Sequence, residues 1–347
     1  MSVKSFFHLL NYVTFYRFLP KTPETEVNMI KITDVARAAG VSPSTVSNVL
    51  NGRKNVGEET RRRVLELCEE LNYAPNIIGK NLKEGISKTI LFVFSDFDRQ
   101  FYLKIIQGIS DYVYSKGYDL LICTNRNCDK YMNRSMSCGC IMLDVNSTDT
   151  SIIKKASKDY PIVVLDRVIN EPYIKSMLVN NYSPEKELIE ALIKKGCKRF
   201  AFLGGLETLD TKERFRALTD TLEANHLTLK REDYYSGDFR ERSGNQAARL
   251  IMLKESLPDV LVCANDDMAI GAIRAFKENG IKVPEALSIV GFDDTELAQA
   301  IGLTTIKIPN YERGYIAAQY LIEGIEGMGD YSEFKISAKI KWRKTTV

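Results

Sequence analysis

From Thr89 onward the sequence alternates short apolar runs with segments of helical periodicity. Continuous apolar runs separated by helices predict parallel sheets that are covered on both faces. Because the series is too long for one such sheet and divides near Asn180 to Pro184, we predict two doubly wound α/β lobes. The seven main runs are Ile90 to Phe94, Leu120 to Cys123, Cys140 to Leu143, Ile162 to Leu165, Phe200 to Leu203, Val260 to Cys263 and Ile289 to Phe292, with shorter candidates at Met177 to Val179 and Tyr234 to Ser236.

The segment from Ile30 to Gly52 predicts a different structure, two short helices joined by a tight turn. Thr33 or Asp34 is expected to cap the first helix, because its side-chain oxygen can accept a hydrogen bond from a free amide of the first turn. Gly40 is expected to end that helix, since glycine takes the left-handed conformation most easily. Nothing in this segment suggests catalysis.

Ser42 and Pro43 predict the start of the second helix, as a hydroxyl cap followed by the residue whose fixed φ suits the first helical position. Val46, Val49 and Leu50 fall on one face at helical spacing. The other positions carry short polar side chains, which suits either a recognition helix or an ordinary solvated helical hairpin. These outward residues are Ser44, Thr45, Ser47, Asn48 and Asn51.

The order of these signals resembles the opening of the LacI/GalR (lac-repressor) family of transcription regulators. The resemblance implies an all-α helix-turn-helix head, a hinge helix, and an α/β core like that of periplasmic binding proteins. It further implies that the chain crosses three times between the two lobes. The matching residues are Thr33 to Ala36, Ala39 to Ser42, Thr45 to Ser47 and Val49 to Asn51.

Domain boundaries follow from this resemblance. Residues 1–28 lie outside the family pattern and are expected to be a disordered extension or the product of a misassigned start codon. The head is predicted at 29–75, the hinge at 76–88 and the effector-binding and dimerisation core at 89–347. Within the core, the first lobe is expected at about 89–181 and 311–325, and the second at about 182–310 and 336–347.

In family members the hinge helix becomes ordered over the operator and wedges a leucine into the minor groove, which bends the duplex. Leu82 matches that leucine, and Asn76 can cap the segment. Gly79 stands where relatives usually have alanine, and glycine weakens a helix by about 1 kcal/mol. The hinge should therefore depend on DNA and on dimer contact for its order; the alternative is a plain interdomain linker.

The resemblance also implies which residues contact double-stranded operator DNA. Pro43, Ser44 and Asn48 are expected to read a half-site, while Ser42, Thr45 and Ser47 hold phosphates. Asn51 belongs to the same surface. Family members commonly have arginine at position 48, and arginine suits guanine whereas asparagine suits adenine. We therefore expect adenine opposite Asn48.

Ligands of parallel sheets bind at the carboxyl ends of the strands, so polar residues just past each strand are candidates. Carboxylates, an amide and a guanidinium there can bind the hydroxyls of a sugar or sugar derivative. Asp266 and Asp294 also fit this pattern, but helix capping is the simpler interpretation for both. By resemblance, the last five residues of the following set match effector contacts of the family. The predicted effector-binding residues are Ser95, Asp96, Phe101, Asp166, Arg214, Phe239, Asn265 and Asp293.

Composition narrows the function classes further. Forty-eight basic and 45 acidic side chains give a net charge of +3, so DNA binding must rest on a local surface. Seven cysteines without a convincing export signal fit a reducing cytoplasm. No catalytic motif is recognisable, and we expect neither an enzyme nor a cofactor nor a membrane span. The alternative is a sugar-binding protein of the periplasmic type, which leaves the helix pair unexplained.

The cysteines at positions 123, 128, 138 and 140 crowd into one stretch. A metal or thiol sensor is one interpretation, but the spacing matches no usual zinc knuckle. We favour placing Cys123 and Cys140 in strands and the other two in the connection between them. That connection is shorter than the family's usual helix, so it is expected to be irregular.

Overall fold

The structure is a computed structural model that describes residues 30–53, 55–74, 87–97 and 99–347. The chain divides into two compact units, residues 1–77 and 78–347. The predictions for residues 1–28 and for Asn76, Gly79 and Leu82 fall outside the described residues. None of the helices in the described part of the chain combines the length and apolarity that a membrane span requires.

The described part of the first unit contains three helices, α1 (Ile32–Ala39), α2 (Pro43–Leu50) and α3 (Glu58–Glu70). Small and β-branched apolar side chains from all three meet in one core, because they recur at helical spacing. The buried members are Val35, Ala36, Ala39, Val46, Val49, Val64 and Cys68.

Helix α1 begins earlier than the sequence suggested, so neither Thr33 nor Asp34 is the cap residue, although the Asp34 side chain takes part in the cap. Lys31 occupies the cap position, and the Asp34 carboxylate accepts a hydrogen bond from the Lys31 N–H at 2.9 Å. The other boundaries agree with prediction. Gly40 ends α1 with φ 65°, and Ser42 caps α2 by accepting from the Thr45 N–H at 3.2 Å.

The second unit alternates strands and helices along the chain. Its first part contains β1 (Thr89–Phe94), α4 (Phe101–Ser115), β2 (Asp119–Thr124), β3 (Gly139–Leu143), α5 (Asp149–Lys155), β4 (Ile162–Leu165) and β5 (Ile174–Val179). There follow α6 (Tyr182–Lys194), β6 (Phe200–Gly204), α7 (Leu209–Ala224), β7 (Tyr234–Ser236), α8 (Glu241–Met252), β8 (Val260–Cys263), α9 (Asp266–Glu278), β9 (Ser288–Asp293), α10 (Glu296–Ile301) and β10 (Thr304–Lys307). The final elements are α11 (Asn310–Ile325), β11 (Phe334–Ile336) and β12 (Lys339–Lys341).

These strands form two sheets, one in each lobe. The first has the order β11-β5-β4-β3-β1-β2 and the second β12-β10-β9-β8-β6-β7. All neighbours are parallel except β12, which runs antiparallel to β10. The two-lobed fold predicted from the apolar runs is confirmed, and the chain crosses between the sheets after β5, before α11 and between β11 and β12. Strand β11 was not foreseen from the sequence.

Helix α11 returns to the first lobe and packs closely on α4. A Cβ atom on Gly108 would lie 2.0 Å from the Tyr311 carbonyl oxygen, and one on Gly314 would lie 2.1 Å from that of Ile105. Only glycine permits this separation of the two backbones. The contact fixes the first turns of α11, which border the cleft described below.

The short connection between β2 and β3 was predicted to be irregular, and it contains a 3₁₀ helix, Asn125–Lys130. Cys123 lies in β2 and Cys140 in β3, and all four thiols of the crowded stretch are free. Burial raises the pKa of Cys123 to about 11 and that of Cys138 to about 12, so both are protonated thiols at neutral pH. Within the described residues, no group of His, Cys, Asp and Glu side chains is arranged to hold a metal ion.

Glu185, in the first turn of α6, is a buried acid with an exposed fraction of 2%. Among the described residues, none donates a hydrogen bond to its Oε1. Burial raises its pKa to about 8, against the lowering effect of Arg214. In the folded protein the neutral acid is therefore favoured at pH 7, whereas the unfolded chain ionises near the ordinary value of 4.5. Stability should fall as the pH rises from 4.5 towards 8.

We expect Glu185→Gln, which mimics the neutral acid, to raise the free energy of unfolding by about 2 kcal/mol at pH 7. The gain should shrink towards zero near pH 4, where the wild-type carboxyl group is protonated in both states. Urea titrations at several pH values measure this, with Glu190→Gln on the more exposed face of α6 as the control. A gain that is the same at every pH would contradict the assignment.

Candidate functional site

Helix α2 presents its polar side chains away from the head core. Val46 and Val49 are buried, while Pro43, Ser44 and Asn51 are exposed and Asn48 is half-exposed. The predicted DNA-contacting residues of the described chain thus share one accessible surface. Whether they contact DNA remains a prediction.

Hydrogen bonds within α2 hold several of these side chains in place. Ser42 Oγ lies 2.7 Å from Ser44 Oγ and 2.9 Å from Thr45 Oγ1. Asn51 Nδ2 donates to the Ser47 carbonyl oxygen at 2.8 Å. The hydroxyl cluster gives the start of the helix a defined set of donors, and Asn48 is the longest polar side chain in the middle of the exposed face.

The second candidate site is a cavity of about 460 Å³ between the two lobes, at the carboxyl ends of their strands. Its wall combines five aspartates and four arginines with aromatic and apolar side chains. The lining residues are Arg99, Phe101, Tyr102, Leu143, Asp144, Val145, Asp149, Leu165, Asp166, Arg167, Val168, Glu207, Thr208, Leu209, Asp210, Arg214, Phe239, Asn265, Asp293, Ile308 and Arg313.

Six of the eight predicted effector-binding residues lie on this wall, namely Phe101, Asp166, Arg214, Phe239, Asn265 and Asp293. Ser95 and Asp96 do not line it. Ser95 Oγ donates to Asp144 Oδ1 at 3.0 Å and accepts from the Val145 N–H at 3.1 Å, so it joins the ends of β1 and β3. Asp96 instead pairs with Arg240 of the other lobe, at 3.5 Å.

Arg214 is buried in the wall and contacts four neighbours. Its Nε donates to Asn181 Oδ1 at 3.1 Å, and its Nη1 donates to the carbonyl oxygen of Ala264. The guanidinium lies 3.8 Å from the Asp210 carboxylate and 3.6 Å from the centre of the Phe292 ring. Two of its N–H groups are therefore hydrogen-bonded to protein acceptors, and the guanidinium is also ion-paired with Asp210.

Asn265 has a structural task in addition to lining the cavity. Its Oδ1 accepts from the Met268 N–H at 3.1 Å and so caps α9. Its Nδ2 donates to the carbonyl oxygen of Phe239 at 2.9 Å, where the chain has a φ of 66°. A non-glycine residue with positive φ needs such support. Asn265 therefore holds the aromatic wall in place.

The expectation that Asp266 and Asp294 cap helices was wrong. Asn265 caps α9 and Thr295 caps α10. The Asp266 carboxylate accepts from the Thr295 N–H at 2.8 Å and from Thr305 Oγ1 at 2.6 Å, which ties the loop after β9 to β10. Asp294 pairs with Arg343 Nη2 at 2.6 Å. Burial raises the pKa of Asp266 to about 7.

Two acids of the cavity wall are shifted towards their neutral forms. Burial, with the charge of Asp166, raises the pKa of Asp210 to about 7. Burial also raises the pKa of Asp293, where the chain has a φ of 118°. Asp166 has a φ of 57°. Such backbone conformations are unfavourable for aspartate and recur at ligand sites.

Sequence reasoning missed Arg313 and Asp210, which line the cavity. Asp210 lies in the first turn of α7, where an acid is unremarkable. Arg313 had a usable signal, because it lies four and eight residues before Ala317 and Leu321 on the buried stripe of α11. A charged residue in such a stripe indicates a buried polar contact.

Comparison with known proteins places these sites in context. The model for "Bacterial regulatory proteins, lacI family" matches residues 31–76, and that for a periplasmic binding protein-like domain matches residues 189–346. The chain is 32% identical to the probable HTH-type transcriptional repressor ExuR of Bacillus subtilis, over 85% of this chain and 91% of that protein. It is also 32% identical to the HTH-type transcriptional repressor PurR of Aliivibrio salmonicida, over 86% and 93% of the two chains.

Among solved structures, the chain is similar to the lac repressor dimer bound to operator and the anti-inducer ONPF. The TM-score is 0.77 with 27% sequence identity, over 92% of this chain and 99% of that one. The relatives are therefore repressors, and the similarity extends over both units.

We expect Asn265→Ala to lower the free energy of unfolding by about 1–3 kcal/mol, because it removes a helix cap and leaves the Phe239 carbonyl oxygen unpaired. Chemical denaturation monitored by circular dichroism measures the change. Asn245→Ala, on the surface of α8, is the control and should change stability by less than about 0.5 kcal/mol. An Asn265→Ala protein as stable as the wild type would show that the amide has no structural task.

Proposed function

Because the chain belongs to the LacI family of bacterial regulatory proteins, we propose that it is a transcriptional repressor whose operator affinity is set by a sugar or sugar derivative bound between its lobes. The observation that supports this most directly is the origin of the cavity wall. Asp166 and Arg313 come from the first lobe, and Arg214, Asn265 and Asp293 from the second. A ligand that touches both sets favours one relative orientation of the lobes.

The composition of the wall supports a polyhydroxylated ligand. Carboxylates and guanidinium groups accept and donate hydrogen bonds at fixed angles, which suits an array of hydroxyls. Phe101, Tyr102 and Phe239 offer aromatic surface for the apolar face of a ring. The rival function, a sugar-binding protein without a DNA site, leaves the capped helix pair of the first unit without a purpose.

The active form that we propose is a homodimer acting on chromosomal DNA in the cytoplasm. The lac repressor, to which the chain is similar, binds its operator as a dimer. Two copies of α2 would then read two half-sites of a palindromic operator. A change of about 1–3 kcal/mol in operator affinity on effector binding is enough for a useful switch.

Selection of binding sites from random DNA by the purified protein tests this function. We expect a palindromic site with adenine opposite Asn48, because the asparagine amide pairs with the N6 and N7 positions of adenine. Asn48→Arg should shift the preference at that position to guanine and leave the rest of the site unchanged.

Two results would contradict these expectations. A protein that selects no site under any condition is not an operator-binding regulator. Guanine at the assigned position, unaltered by Asn48→Ala, would show that Asn48 does not read that base.

Asp293→Ala should bind the operator as the wild type does but respond weakly or not at all to effector. The reason is that Asp293 lies on the cavity wall, whereas operator contact is assigned to α2. Fluorescence anisotropy with labelled operator and a panel of sugars measures both properties. Asp220→Ala, at an exposed position of α7, is the matched control. Loss of operator binding by a folded Asp293→Ala protein would refute the assignment.

A further inference from the structure

Four arginines line the cavity, and three of them are held by protein acceptors. Arg167 donates from Nη1 to the Ser147 carbonyl oxygen at 2.6 Å and to Asp149 Oδ1 at 2.8 Å. Its Nη2 donates to the carbonyl oxygen of Asp144 at 2.9 Å. Arg214 is held as described above. Arg99 donates to the Tyr102 hydroxyl and lies 3.7 Å from the Asp96 carboxylate.

Arg313 is different. Its exposed fraction is 1%, and its Nη2 lies 2.6 Å from Asp166 Oδ1, but the contact lacks hydrogen-bond geometry. No acceptor for Arg313 Nε or Nη2, and no hydrogen-bond donor for Asp166 Oδ1, is found among residues 30–53, 55–74, 87–97 and 99–347. Leaving such donors unpaired in a buried site costs about 1–3 kcal/mol or more.

Although Arg313 and Asp166 form an ion pair, their atoms without a hydrogen bond point to a ligand of particular geometry. Nε and Nη2 form one edge of the planar guanidinium, and that edge presents two parallel N–H groups. A carboxylate takes such an edge through both of its oxygens, whereas a single hydroxyl satisfies only one donor. Asp166 Oδ1 lies beside the edge and needs a donor of its own. A ligand that satisfies both the Nε–Nη2 edge of Arg313 and the Oδ1 atom of Asp166 has a carboxylate next to a hydroxyl.

Helix packing fixes the position of the Nε–Nη2 edge of Arg313. Arg313 lies in the first turn of α11, and the close packing of Gly314 on the Ile105 backbone fixes that turn against α4. Asp166 directly follows β4. Ile308, almost fully buried, adds an apolar patch to the same wall.

We propose that the effector is a polyhydroxy carboxylate, a sugar acid, whose carboxylate binds the Nε–Nη2 edge of Arg313 and whose adjacent hydroxyl donates to Asp166. This inference rests on the proposed function, since it specifies the ligand of the same cleft. The guanidinium then lies between two carboxylates, which offsets the repulsion between them. Hydroxyls further along the ligand meet the acids of the second lobe.

The acids of the second lobe do not oppose an anion as strongly as their number suggests. Burial raises the pKa of Asp210 to about 7 and also raises that of Asp293, so both acids are shifted towards their neutral forms. A protonated acid donates to a hydroxyl and repels no carboxylate. Glu207, the other second-lobe acid on the wall, is exposed, and the first-lobe acids Asp144 and Asp149 are engaged by Ser95, Ser147 and Arg167.

Isothermal titration calorimetry with matched probes tests the inference on the full-length protein. The acids are D-glucuronate, D-galacturonate, D-gluconate and D-galactonate, the neutral probes are D-glucose and D-galactose, and D-glucose 6-phosphate represents the phosphates. We expect at least one acid to bind about tenfold or more tightly than its neutral parent. Arg313→Met should weaken that acid about 10- to 100-fold, because a hydrogen-bonded charge is lost.

The same substitution should change the affinity for the neutral parent by less than about threefold, and Arg313→Lys should restore part of the preference for the acid. Arg134→Met, an exposed arginine of the first lobe paired with Asp159, is the matched control and should bind like the wild type. Since Arg313→Met leaves Asp166 without its partner, the double variant Arg313→Met/Asp166→Asn provides a neutral pair. In the double variant, the acid should no longer bind more tightly than its neutral parent. Thermal unfolding checks that each variant is folded.

Several results would overturn the inference. The first is that a neutral sugar or the phosphate binds more tightly than every acid. The second is that the preference for an acid survives Arg313→Met. The third is that no acid binds to a protein that still binds its operator. Operator binding by the same preparation is measured in parallel. Its absence would count against the proposed function itself, so the two failures are distinguishable.

Discussion

Arg214 and Arg313 bring two guanidinium groups into the interior of the second unit, one from each lobe, and both are almost fully buried. A buried charge is costly unless an opposite charge or hydrogen-bond acceptors lie beside it. The second lobe provides Asp210 and the Ala264 carbonyl oxygen for Arg214, and the first lobe provides Asp166 for Arg313. The ends of both parallel sheets are therefore built around these charges, and the positive φ of Asp166 and Asp293 belongs to the same local architecture.

Close helix packing fixes parts of the cavity wall in both lobes. In the first lobe, α11 lies against α4 through Gly108 and Gly314. In the second lobe, α8 and α9 approach equally closely, since a Cβ atom on Gly244 would lie 1.9 Å from the Met268 carbonyl oxygen. That contact lies one helical turn from Asn265, whose amide holds Phe239. Backbone contacts outside the cavity thus help to position the residues of its wall.

The sequence predicted most of the fold, because fully buried parallel strands are the most recognisable pattern in such a chain. The runs at Ile162 to Leu165 and Val260 to Cys263 coincide with β4 and β8. Strand β11 was missed, since its edge position leaves only Ile336 buried. Helix caps were predicted less well, because several polar residues near a helix start can serve equally, and tertiary contacts decide among them. Asp266 illustrates this, since its partners Thr295 and Thr305 are distant in the chain.

The contacts between the lobes bear on the proposal that a bound small molecule changes their orientation. Ion pairs between the lobes join Asp96 to Arg240 at 3.5 Å, Lys104 to Glu296 at 3.1 Å and Lys335 to Glu213 at 3.7 Å. Most of these side chains are partly exposed, and such pairs contribute at most about 1 kcal/mol each. By contrast, Arg214 and Arg313 are each anchored within one lobe, so a ligand that contacts both gains its full interaction energy at one separation only. A ligand shifts the balance between lobe arrangements only by the difference in its affinity for them, and ion pairs as weak as these oppose such a shift little.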